Sequence, residues 1–164
     1  MIFKTSFDGL TKLITVVVGV VLAATPYQII KAYPHNLGGA IAGSFFLVVT
    51  FLLCWLFHSS KYSIHNGSLI IHRPIHNVSV AISEIKSAEP IGNLDLILTL
   101  RAFGVGGVFG YFGKFYNSKV GRMTWYATRR NNVVLLTTKD SKKILLTPDA
   151  PIEFVNELNH LIHP

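Results

Sequence analysis

Two stretches of this chain carry no charge, and they constrain its architecture more than any other feature. No Asp, Glu, Lys or Arg occurs from Leu13 to Ile30, where Lys31 closes the run, and none occurs in the 21 residues from Leu37 to Phe57. A helix crosses the hydrocarbon core of a bilayer with about 20 apolar residues. The second run has that length. The first, LITVVVGVVLAATPYQII, is shorter and contains Pro26. The missing N–H and the ring of a proline predict a kink near the end of that helix. Neither run has a polar face, which argues against two core helices of a soluble protein.

A secretory leader is the other alternative, since Lys4 and Lys12 precede an apolar stretch ending in Ala23-Ala24. Leu22 stands where such a cleavage site needs a small residue, and a second span follows at once. The reading is therefore an uncleaved transmembrane helical hairpin in residues 1–58, with spans at about 11–31 and 37–57. Lys31 is the one charge in the short connection 31–36, whereas Lys4, Lys12 and a basic C-terminal part flank the other side. The positive-inside bias then puts both termini in the cytoplasm. Gly19 and Ala23 in the first span, and Gly39 and Gly43 in the second, have the small-xxx-small spacing that lets backbones approach closely. They predict packing of the two helices on each other or on a second copy in a homo-oligomer. The single Cys54 excludes a disulfide framework and a four-cysteine zinc site.

Only 14% of the chain is charged, against about 25% in an ordinary soluble domain. The deficit falls almost wholly in the first sixty positions, so residues 59–164 read as a separate folded domain of ordinary polarity. Its texture is short alternating runs with turn signals between them. YSIH and SLIIH flank Asn66-Gly67, a strong hairpin signal. VSVAI, EIKSAEPI and LDLILTLRAF follow, the last with Leu94, Leu96, Leu98 and Leu100 on one face. After a glycine-rich stretch come RMTWYATR, VVLLTT and KKILLT. Asp149 is placed to cap a helix starting near Pro151, with Phe154, Leu158, Leu161 and Ile162 at helical spacing. About seven antiparallel strands and one amphipathic helix describe an α+β domain, a small barrel or two-sheet sandwich closed by the helix.

Several motifs in this part resemble those of the bacterial pleckstrin-homology-like (bacterial PH) domain family. They are Arg101-Ala-Phe-Gly-Val-Gly, Tyr111-Phe-Gly-Lys-Phe-Tyr, Trp125-Tyr-Ala-Thr before VVLLTT, and Thr147-Pro-Asp-Ala-Pro-Ile-Glu-Phe154. The resemblance covers about residues 60–163. It implies a seven-stranded barrel capped by a C-terminal helix, in a member anchored to the bacterial inner membrane. It implies little about biochemical activity. Eukaryotic pleckstrin domains that hold phosphoinositides use bases around the first hairpin, whereas the turn at His65-Asn66-Gly67 has none.

The most unusual segment is 101–130, with six bases, no acid and eight aromatics. Basic charge beside an anionic leaflet contributes about 1 kcal/mol per residue, and Trp and Tyr favour the interface. Arg101, Phe109, Tyr111, Phe112, Lys114, Phe115, Lys119, Arg122, Arg129 and Arg130 are therefore the candidate residues for lipid or partner binding. The competing reading places some of the aromatics in the core and the bases on a solvated face. Nucleic acid is disfavoured because no recognition motif accompanies the charge and the membrane is a nearer polyanion. Gly104, Gly106, Gly107, Gly110 and Gly113 do not make a phosphate loop: Gly113-Lys114 is followed by Phe115, and strand residues follow instead of a helix. They read as turns, bulges and close backbone approach in a mobile loop.

His65, His72 and His76 lack a partner ligand at metal-binding spacing, and the scattered acids form no catalytic order, so no metal, cofactor or catalytic residue is expected. The expected function is non-catalytic, a membrane-anchored module that binds or scaffolds an unidentified protein partner and, secondarily, anionic lipid headgroups. The alternative is a small membrane enzyme or transporter component using the loop 104–113 as a lid. Transport is disfavoured because no Asp, Glu, Lys, Arg or His lies in the charge-free runs 13–30 and 37–57 of the two spans.

Overall fold

In the computed structural model, residues 1–32, 37–91 and 99–162 are described. Helices α1 (Gly9–Ala32) and α2 (Leu37–Phe57) are both long and apolar enough to cross a membrane. Helix α1 continues through Pro26. Asp8 caps it: Oδ1 accepts from the Thr11 N–H at 2.7 Å, and the Asp8 carbonyl accepts from the Lys12 N–H at 3.0 Å. The two helices pack on each other. Among the partly or fully shielded residues are Thr11, Thr15, Val18, Leu22, Thr25 and Ile29 on α1, and Ala40, Ser44, Leu47, Phe51 and Cys54 on α2. Their alternating spacing of four and three is that of a helix–helix seam. The flanking large side chains, among them Val16, Val20, Phe45 and Phe46, are exposed. Hydroxyls that would otherwise face an apolar medium return to their own helix, Thr25 to Val21 O, Ser44 to Ala40 O and Thr50 to Phe46 O.

Of the four small residues, Gly19 faces the partner helix, with a Cβ built there 3.8 Å from Phe51 Cζ. A Cβ at Gly43 would meet nothing within 4 Å, and Ala23 and Gly39 are exposed. Ala40 is the small residue buried at the seam.

The remainder forms ten described strands in two sheets. The first sheet contains β1 (Ile2–Lys4), β2 (Lys61–His65), β3 (Ser68–His72) and β4 (Val78–Ala81), paired antiparallel in that order. The second comprises β5 (Ile85–Ile91), β6 (Thr99–Gly106), β7 (Tyr111–Asn117), β8 (Gly121–Ala127), β9 (Val133–Thr138) and β10 (Lys143–Leu146), in the order β5-β9-β10-β8-β7-β6. The expected closed, all-antiparallel, seven-stranded barrel is thus corrected. Among the described residues the sheets do not close, and β8 and β10 run parallel.

One strand in excess is β1, three residues before the first helix that no alternation marks. It pairs Ile2, Phe3 and Lys4 with Ser63, Tyr62 and Lys61, so residues N-terminal to the two apolar helices join the domain that follows them. Part of the expected leucine-faced strand, Leu94, Leu96 and Leu98, lies outside the described residues. The Asn66-Gly67 hairpin forms as expected between β2 and β3, with φ of 49° and 67° at its two central residues.

Helix α3 (Pro151–Ile162) packs on β5, β9 and the 3₁₀ turn Ile82–Glu84, burying Phe154, Val155 and Leu158. The main core lies between this helix and the two sheets, around Tyr62, Leu69, Ile71, Ile85, Leu136 and Leu146. Asp149 does not supply the side-chain cap its position suggested. Its Oδ1 instead accepts from Ser6 Oγ and Arg129 Nη1, both at 2.6 Å. A second core lies among β7, β8, β9 and β10, where Trp125 stacks on Phe115 at 4.6 Å and meets Tyr111 edge-on at 6.0 Å.

Candidate functional site

The glycine-rich stretch is a β-hairpin. Gly104 and Gly113 face each other across β6 and β7 at φ 126° and 123°. A Cβ on Gly104 would stand 2.1 Å from Phe112 O, and one on Gly113 would stand 2.2 Å from Phe103 O. Only glycine permits that approach. The hairpin tip, residues 107–110, is closed by Gly107 N–H donating to Gly110 O at 2.8 Å and rests on the ends of both apolar helices. The Phe109 N–H donates to Thr15 Oγ1 at 2.9 Å, and the Phe109 ring lies 5.0 Å from Phe51 and 6.2 Å from His58. Thr11 Oγ1 on α1 donates to Thr128 O at 3.3 Å, and the second oxygen of the Asp8 carboxylate accepts from Arg130 N–H at 3.3 Å.

Strand alternation then sorts the basic and aromatic residues. On β7, Tyr111 and Phe115 point into the second core and are buried. Phe112, Lys114 and Tyr116 point to the opposite face. Register sets Tyr126, Thr124 and Arg122 of β8 beside them, and Val105, Phe103 and Leu100 of β6. This outer face abuts the end of α2. Phe112 stacks on Phe57 with centroids 6.4 Å apart, and the Arg73 guanidinium lies 5.6 Å from the Phe57 ring and 5.5 Å from the Tyr126 ring. The loop after β3 is held there by Ile75 N–H, which donates to Leu56 O, an otherwise orphaned helix carbonyl, at 3.1 Å. Arg73 Nε donates to His76 O at 2.9 Å.

Between the last turns of α2 and this face lies a cavity of about 590 Å³, lined by Leu53, Cys54, Phe57, Phe103, Phe112 and Tyr126 among others, with the cations Arg73 and Lys114 and, among the described residues, no carboxylate. Beyond it the face continues as exposed Leu100, Phe103 and Tyr116, 70%, 79% and 47% accessible, with exposed Lys114 and Arg122.

The ten residues singled out in the sequence therefore divide by location. Lys114 and Arg122 share the outer face, with Phe112 at its root and Phe109 wedged against the helices. Arg101 pairs in register with Phe115, its side chain passing over Gly106. Arg130 stands over the Tyr111 ring at 4.9 Å. Lys119 is in the turn after β7, its N–H donating to Asn117 Oδ1 at 2.8 Å. Arg129 is buried. Its Nη1 donates to Asp149 Oδ1 and, at 2.9 Å, to Ser6 Oγ, and its Nη2 donates to Pro148 O at 2.5 Å. These contacts tie the segment before α1 to the one before α3. Arg73, on the rim of the cavity, escaped sequence reading because it lies some thirty residues from the basic run, and only the fold brings it there.

Two side chains on opposite faces of the first sheet have shifted titrations. The Tyr62 hydroxyl donates to Tyr126 O at 2.5 Å and accepts from Thr147 N–H at 3.1 Å, and burial pushes its pKa up to about 12. His72 Nε2 lies 2.7 Å from Ser63 Oγ, and burial, then the Lys61 charge, holds its pKa below the ordinary histidine value. Among the described residues no group of three or more His, Cys, Asp or Glu side chains converges.

A family model described as Bacterial PH domain matches residues 60–162. Neither the curated proteins nor the solved structures give a match.

Proposed function

The chain belongs to the bacterial PH domain family, and from that premise we propose that it is a membrane-attached, non-catalytic binding module. The two apolar helices span the bacterial inner membrane with both termini and the PH domain in the cytoplasm. Lys4, Lys12 and the basic domain lie at one end of the pair and Lys31 at the other, which supports that orientation. The outer face of β6, β7 and β8 receives a protein partner at Leu100, Phe103 and Tyr116, while Lys114 and Arg122 add attraction for anionic headgroups.

The observation that carries this reading is the pairing of large exposed apolar side chains with bases on one sheet face, held against the helix ends through Phe109 and Phe112. Soluble surfaces seldom leave such residues together without an interaction. A photo-cross-linking residue at 103 or 116 in the full chain, irradiated in native membranes, is expected to give a discrete protein adduct. The same residue at Ser83, in the 3₁₀ turn of the other sheet's margin, serves as control. Equal adduct patterns at all three positions would refute the assignment of the face.

A further inference from the structure

We propose that the cavity between α2 and the outer face of β6–β8 holds one anionic phospholipid drawn laterally from the bilayer. Its phosphate is held by Arg73 and Lys114, and an acyl chain lies along α2. The proposal deepens the binding-module reading and rests on it, since it needs the helices to be in a membrane.

Three features of the cavity select this occupant. Its walls are mostly apolar and partly aromatic, so a small soluble anion would leave most of them uncovered. Among the described residues its charged lining is two cations without an acid, complementary to a phosphodiester and opposed to a zwitterion's second charge or a fatty amine. The α2 wall also continues away from the domain. Phe46, Thr50, Leu53 and Phe57 recur at helical spacing on one side of α2, and Phe46, Leu53 and Phe57 are 69%, 45% and 36% exposed. From Phe57 to Phe46 this stripe rises about 16 Å along the helix axis. It leads from the Arg73 end of the cavity into the depth where acyl chains lie. Arg73 is held there by the Phe57 and Tyr126 rings and by His76 O, so little side-chain freedom is lost when a phosphate arrives.

The sheet also shapes the cavity. The Gly104–Gly113 approach keeps β6 and β7 in close contact where the cavity wall passes over them, and both glycines line it. A side chain at either position would push the hairpin out of register with α2. Sequence inspection alone would not find this site, because its components come from α2, the loop after β3 and three strands.

The test uses the full chain purified in detergent, with native mass spectrometry after addition of equal amounts of phosphatidylglycerol and phosphatidylcholine. One phosphatidylglycerol per chain is expected to be retained over phosphatidylcholine by about fivefold or more, the size of one basic residue's attraction to an anionic headgroup. Lys114→Glu and the milder Lys114→Gln should each reduce that preference, the first by about fivefold or more, while Lys86→Glu on β5 leaves it unchanged. Phosphatidylglycerol with a photoactivatable acyl chain should label the peptide that contains Thr50 to Phe57.

Equal retention of the two lipids, an unchanged preference in Lys114→Glu, or labelling confined to α1 would overturn the proposal. So would a second copy of the chain occupying the cavity in place of lipid. If lipid preference is absent while the position-103 and position-116 protein adducts persist, the lipid site falls and the binding module stands. If both are absent, both fall.

Discussion

Replacing Gly113 by alanine tests whether the β6–β7 hairpin has the close backbone approach seen here. The native φ of 123° lies where L-residues are rarely found, and holding a side-chain-bearing residue in such a region costs about 1–3 kcal/mol. The new Cβ would also stand 2.2 Å from Phe103 O and 2.7 Å from Gly104 Cα, both backbone atoms. Relief requires the strands to separate, an overpacking cost of about 1–3 kcal/mol. Together these give about 2–6 kcal/mol.

For a domain of roughly 100 residues each kcal/mol moves the midpoint by about 4–8 °C, so Gly113→Ala should lower it by about 10 °C or more. Trp125 is 2% exposed and stacks on Phe115 of the adjoining strand, so its fluorescence in the full chain reports the transition directly. Gly43→Ala is the control, since its Cβ meets nothing within 4 Å and the residue is helical. It should leave the midpoint of the sheet domain where it is. A Gly113→Ala midpoint within about 2 °C of wild type, against the size scaling above, would show that the two strands do not approach as described.

Arg129→Met should destabilise the domain by about 3 kcal/mol, because charge-assisted hydrogen bonds contribute roughly 1.5–3 kcal/mol each and Asp149, partly exposed, rehydrates to offset part of the loss. Chemical denaturation reads the loss, and the lipid preference of the folded fraction should be unchanged, which separates this arginine from Lys114. For His72, the folded-state pKa lies below the unfolded value, so the unfolded chain takes up the proton first and stability falls as pH drops from about 6.5 through the folded pKa. His72→Gln should flatten the midpoint's dependence on pH between 5 and 7, and an unchanged slope would contradict the assignment.

The two long helices were legible because a charge-free run needs no tertiary information to be recognised. The Asn66-Gly67 turn and α3 were legible because each carries its own local signal. The three residues of β1 were not: Ile2 and Lys4 point outward and only Phe3 is buried, a pattern too short to distinguish from chance. Its partner strand lies beyond both long apolar helices. The parallel pairing of β8 with β10 was equally hidden, since local alternation reports which face is buried and not which neighbour is chosen.

At the site, sequence composition found the basic-aromatic segment but could not sort it, because alternation sends Phe112 and Lys114 to one side of β7 and Tyr111 and Phe115 to the other. Arg129 looked like its neighbour Arg130. What separates them is Asp149, twenty positions away, and a chain crossing that closes over Arg129 alone.

The short connections at the helix ends decide how the domain can work. Between Lys4 of β1 and Gly9 of α1 there are four residues, and between Phe57 of α2 and Lys61 of β2 there are three. Even fully extended, chain segments of this length reach only about 3.3–3.6 Å per residue, so the sheet cannot move far from either helix. A domain hung from one such tether could still swivel. This one is held by two tethers, both ending on the same pair of adjacent strands, and is braced by Phe109 on Thr15 and Ile75 on Leu56. Rotation about either tether would break the β1–β2 pairing or pull the hairpin tip from α1. The outer face of β6–β8 is therefore presented at one height and one angle relative to α2. On the proposed reading a lipid would meet Arg73 already oriented by the Phe57 and Tyr126 rings and His76 O, with little of the binding free energy going into ordering the domain.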